Sequence, residues 1–131
     1  MPVATVAVGY LPTSYNRTAH AHWRTVHRAK AQLQRDLELV LLATPGLPRP
    51  IPGGRVEVTA TLLVPDRRRR DEGNFRTPLE KSLGDALVNG GWIVDDTPDR
   101  YSFGALVFEV VSGVRATRLH LAWRDETEGA L

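Results

Sequence analysis

The chain contains no cysteine. Disulfides and thiolate zinc sites are therefore excluded, and the composition suits a reducing, cytoplasmic compartment. Neither sign of charge is in large excess: 17 Lys and Arg stand against 15 Asp and Glu, a net of +2. No global attraction to polyanions follows, so any basic surface must come from where the arginines are placed. No apolar stretch approaches the roughly 20 residues of a spanning helix. No basic segment precedes the short apolar run at the N-terminus, so neither a membrane helix nor a signal peptide is expected. Internal repeats, low-complexity tracts and a Ser, Cys or His catalytic triad are also missing. Gly53-Gly54 lacks the lysine and hydroxyl residue of a phosphate loop and reads as a turn. At 131 residues, 42% hydrophobic and 24% charged, the chain has length for one domain spanning 1–131, with a real core.

What is present gathers between Asp66 and Asp96. Four arginines, Arg67, Arg68, Arg69 and Arg70, run directly into Asp71 and Glu72, and Asp95 and Asp96 follow a helical segment. A basic run touching carboxylates is what an enzyme needs to hold a polyanion beside a cation site, although it also describes an ordinary solvated face. Thr77-Pro78-Leu79-Glu80 predicts a helix start, with threonine as cap and proline at the first helical position. Leu79, Leu83, Ala86 and Leu87 form its buried stripe, and Gly90 ends it. A helix from Pro78 to Asn89 carries the chain roughly 18 Å, and Gly90 to Val94, if extended, returns a similar distance. Asp95 and Asp96 can then come back beside Asp71 and Glu72. Such an oxygen-only set suits a hard cation, Mg²⁺ above all, with Mn²⁺ as an alternative. The same residues have a structural reading, in which Asp71 and Glu72 pair with nearby arginines while Asp95 and Asp96 cap a turn at Thr97-Pro98. Spacing does not choose between the two.

Val3 to Tyr10 reads as a strand, and the loop Thr13 to Thr18 leads to a helix beginning near His20. Trp23, Val26, Leu33, Leu37, Val40 and Leu41 make that helix's core stripe, with Trp23 as an anchor. Arg24, Arg28, Gln32 and Arg35 make a basic stripe able to meet phosphate. His20, His22 and His27 are too far apart on a helix to hold a metal together, and they read as surface or DNA-facing. A proline- and glycine-rich loop, Thr44 to Gly54, precedes a cleanly alternating strand from Arg55 to Val64. Tyr101 to Val111 and Val114 to Trp123 read as two strands joined as a hairpin at Ser112-Gly113. The tail from Arg124, with Asp125, Glu126 and Glu128, is acidic and polar. The expected fold is a small α/β sandwich of β-α-β-α-β-β order, a four-stranded mixed sheet with two helices on one side. Ala105 to Val110 is apolar at nearly every position, which predicts a homodimer covering the second face.

Val64 to Asp71 (Val-Pro-Asp-Arg-Arg-Arg-Arg-Asp), Leu79 to Leu87 (Leu-Glu-Lys-Ser-Leu-Gly-Asp-Ala-Leu) and Gly91 to Asp96 (Gly-Trp-Ile-Val-Asp-Asp) together resemble the core of the RusA family of Holliday junction resolvases. The close likeness covers about a quarter of the chain. Family members are small homodimeric Mg²⁺-dependent endonucleases, often phage-encoded, that cut four-way DNA junctions. The resemblance implies a metal set of Asp71, Asp95 and Asp96, a catalytic helix lysine at Lys81 if four extra residues before the helix are accepted, and a DNA grip from Arg67 to Arg70 with Arg24 and Arg28 on the first helix. It departs from the family's Asp-x-Asp-Asn at Gly73, where a carboxylate is missing; Asn74 keeps its place, and Glu72 is the substitute ligand. The function implied is resolution of branched DNA in recombination and repair. Two rivals are a non-catalytic DNA-binding dimer that lost its metal site through Gly73, and an RNA-binding or regulatory module whose acids only pair with arginines.

Overall fold

The computed structural model describes residues 1–13 and 23–124. The expected loop Thr13 to Thr18 from Ser14 on, the helix start near His20, His20, His22 and the tail beyond Arg124 lie outside the described residues. Among these, the elements are β1 (Val3–Val8), α1 (Trp23–Leu42), β2 (Val56–Val64), α2 (Glu72–Asn89), β3 (Tyr101–Val110) and β4 (Ala116–Ala122), with a short 3₁₀ turn at Pro52–Gly54. The fold is mixed α/β, and the sheet order is β1-β4-β2-β3. β4 runs antiparallel to both β1 and β2, whereas β3 is parallel to β2.

Alternation in the strands decides which face the helices cover. Val6, Leu119, Ala60 and Leu106 are register partners across all four strands, and all are buried. Leu33, Leu37 and Leu41 of α1 and Leu79, Leu83, Ala86 and Leu87 of α2 pack into the same core. One residue out of phase, Thr5, His120 and Thr59 form a row on the opposite face, with Thr5 and Thr61 hydroxyls 3.3 and 3.5 Å from the His120 ring nitrogens. That face also carries Glu57 and Arg118 beside Val3 and Val107. It is therefore mixed rather than apolar, and its composition alone does not demand a partner.

Three expectations are corrected. β3 and β4 are not a hairpin, because β2 lies between them. A two-residue turn cannot span two inter-strand spacings of nearly 5 Å each, and the longer connection after Val110 crosses the end of β2, turning through the Val114 N–H bond to the Val111 carbonyl (3.0 Å). Trp23 does not anchor the core but is 61% exposed. The buried positions of α1 begin at Leu33, so its first turns overhang the sheet. There Trp23 meets His27 edge-on at 5.6 Å and lies under the Arg24 guanidinium at 5.4 Å. The third correction concerns α2, which starts more than a turn before Thr77, at Glu72, with Pro78 inside it.

Candidate nucleic-acid interface and acid groove

The upstream start of α2 has a local cause. Asp71 is its N-cap: the side chain accepts the Gly73 N–H at 3.0 Å, satisfying one of the helix's unpaired donors. Glu72, in the first turn, pairs with Arg76 one turn later at 2.7 Å. Arg76 also donates to the carbonyls of Phe103 (3.1 Å) and Gly104 (2.6 Å). Those carbonyls sit where two residues of β3, Gly104 and Ala105, stand opposite Thr59 of β2. Tertiary contact thus carries the helix past the Thr-Pro start signal, and the Thr77 hydroxyl bonds back to the Gly73 carbonyl at 3.1 Å ahead of the proline.

This start decides what the acids can do together. Asp71 and Gly84 are separated along α2 by a rise of roughly 20 Å. Asp96 packs against Gly84: a β-carbon there would lie 3.2 Å from Asp96 Oδ2. Asp71 and Glu72 are thus at one end of the helix, and Asp95 and Asp96 are far along it. The four expected metal ligands do not form one cluster, and among the described residues no group of three or more acids and histidines has metal-holding geometry. Asp95 takes the structural role, accepting from the Thr97 hydroxyl at 2.7 Å and lying 3.6 Å from Arg100. Glu72 likewise is spoken for by Arg76.

Asp96 has different company. Lys81, Asp85, Asp95 and Asp96 line an open hollow of about 370 Å³ with Gln34, Val88 and Asn89. Lys81 and Asp96 are shared with an adjoining hollow lined by Thr77, Glu80, Pro98 and Tyr101. Lys81 pairs with Asp85 at 3.1 Å, which raises its pKa, with a smaller push from Asp96. Tyr101, buried beneath the groove, donates its hydroxyl to the Glu80 carbonyl at 2.8 Å. Burial raises its pKa most, and the charges of Glu80, Asp96 and Asp85 add to this. Glu80, Asp85 and Tyr101 were not singled out as site residues from sequence. The legible signal was the i to i+4 spacing of Lys81 and Asp85.

A pH dependence follows. The folded-state pKa of Tyr101 lies above its unfolded value near 10, so its contribution is complete below pH 10 and is lost as pH rises. Unfolding free energy should fall by about 1.4 kcal/mol per pH unit above roughly pH 10 from this group. Urea unfolding of the parent and Tyr101→Phe between pH 9 and 11 measures it. The variant should show the shallower fall, and equal slopes would mean that Tyr101 titrates normally.

The arginine run is sorted by Asp66. The Asp66 carboxylate accepts the Arg68 N–H at 3.0 Å and Arg70 Nη2 at 3.0 Å, and these bonds lower its pKa. Arg70 Nη1 donates to the carbonyls of Asp66 (3.0 Å) and Arg68 (2.9 Å). Arg67 and Arg69 are exposed, as are Arg24 and Arg28 on α1. A scan against protein-family models returns no match to this chain, and a search of curated proteins returns none either.

Proposed function

We propose that the chain is a Mg²⁺-dependent endodeoxyribonuclease of the RusA type that acts on four-way or related branched DNA as a homodimer. The observation that carries this reading is the meeting of Asp96 with Lys81 and Asp85 in one groove, joined to the pattern from Val64 to Asp96. The donor chemistry fits a hard cation only in part. Asp71, Glu72 and Asp95 are engaged outside this pairing, and Asp85 is bridged to Lys81. Asp96, with Asp85 once Lys81 turns to phosphate, are therefore the carboxylates that would hold it, two being enough when substrate phosphates supply further oxygens. A cation bound there supplies activation of water for attack on a phosphodiester. Lys81, with its side chain 61% exposed beside Asp85, meets the phosphate under attack. The exposed arginines bind the backbone, reading junction shape rather than base sequence.

A second reading is a non-catalytic DNA-binding dimer, favoured by the internal engagement of three of the four expected ligands. One experiment separates them. A labelled synthetic four-way junction should be cut in Mg²⁺, not in EDTA, and a linear duplex only weakly. Binding without cutting supports the second reading, equal cutting of linear and branched DNA removes the junction preference, and cutting in EDTA removes the metal.

A further inference from the structure

We propose that the four arginines before α2 are two phosphate contacts on a brace: Arg67 and Arg69 meet the DNA backbone, while Arg70, with Asp66, is a positioning pair that holds the loop presenting them. The proposal rests on the DNA-binding reading above.

Arg70 is the least available of the four, its side chain only 12% exposed. Its fork joins two main-chain carbonyls and one carboxylate at 2.9 to 3.0 Å, which closes residues 66 to 70 into a small ring. A guanidinium used this way has few donors left for a phosphate. Asp66 completes the ring from the other side by taking the Arg68 main-chain N–H. The Arg68 side chain is 71% exposed and touches Asp66 only at 3.5 Å. Arg67 and Arg69 make no hydrogen bond or ion pair with any described residue, and their α-carbons are at most about 7 Å apart. They can therefore reach phosphates on one strand. The adjacent helix N-terminus does not compete for those phosphates, because the Asp71 carboxylate already occupies it.

The brace makes a counter-intuitive demand. Were Asp66 only a negative charge beside the run, removing it would strengthen binding to a polyanion. As a positioning residue it lowers the cost of ordering two long side chains, so its removal weakens binding.

The test is binding of a labelled four-way junction in EDTA over a salt series, with thermal melts beside it. Arg67→Ala/Arg69→Ala should flatten the slope of log K against log salt by about 1.8, two contacts at roughly 0.9 each on duplex arms. Asp66→Ala should bind about 5-fold more weakly at fixed salt with the parental slope, and Arg70→Ala should behave alike. A parental slope in Arg67→Ala/Arg69→Ala, or tighter binding by Asp66→Ala, overturns the brace while leaving DNA binding intact. A slope loss in Arg70→Ala makes Arg70 a contact and overturns it too. A parent that binds no junction at low salt overturns both this inference and the reading beneath it.

Discussion

Asp96→Asn should cut a four-way junction at least roughly 100-fold more slowly than the parent in Mg²⁺, since loss of a ligand exceeds the 10- to 100-fold cost of disturbing a ligand's support. Junction binding in EDTA should be equal or tighter, because a negative charge facing phosphate is gone. The informative comparison is Asp71→Asn. Asparagine caps a helix as well as aspartate does, and Asp71 stands roughly 20 Å along α2 from Gly84, the residue against which Asp96 packs. Asp71→Asn should therefore fold and cut like the parent. Single-turnover cleavage of the three proteins checks this. Parental cutting by Asp96→Asn would place the chemistry elsewhere. Loss of cutting in both would mean that the two carboxylates act together, against their separation along α2.

The parts legible in sequence were those set by local periodicity. The alternation of Val56, Val58, Ala60, Leu62 and Val64 identified the strand and its covered face, with the start at Val56 one residue after the expected Arg55. Leu79, Leu83, Ala86 and Leu87 identified the buried stripe of α2, and each is fully buried. What could not be read was decided by contacts distant in sequence. Thr77-Pro78 is a sound helix-start signal, yet Arg76 ties the preceding turn to carbonyls of β3. Asp95 could return to Asp71 only over a helix beginning at Pro78; because α2 begins at Glu72, the expected ligands lie apart along it. The hairpin failed for a similar reason, since nothing local to Ser112-Gly113 records that β2 pairs with both neighbours. Trp23 belongs to the correct stripe, but the stripe extends beyond the sheet that would bury it.

The largest stability effect is expected at Gly90. α2 ends at Asn89 with Gly90 as its cap, as the sequence predicts, but the left-handed turn falls one residue later: Gly91 has φ +80, whereas Gly90 has φ −84 and ψ −4, a conformation any residue adopts. Gly90 is needed for space. A β-carbon at this position would lie 1.9 Å from Trp92 Cζ3 and 2.5 Å from Cε3, far inside van der Waals contact. Trp92 cannot easily yield. It is 1% exposed, its N–H bonds the Leu87 carbonyl at 2.9 Å, its carbonyl takes the Ile51 N–H at 2.9 Å, and Arg49 lies over its ring. Gly90→Ala should therefore lose roughly 3 kcal/mol, the upper end of the cost of overpacking, despite alanine's better helix propensity. A double-mutant cycle isolates the cause. In a Trp92→Leu background the obstructing ring is gone, so the same Gly90→Ala change should cost much less, a coupling of roughly 2 kcal/mol. Urea unfolding of the four proteins gives the value. Additive losses would show that the ring is not the obstacle, and that the close approach of Trp92 to Gly90 does not fix the turn leading to Asp95 and Asp96.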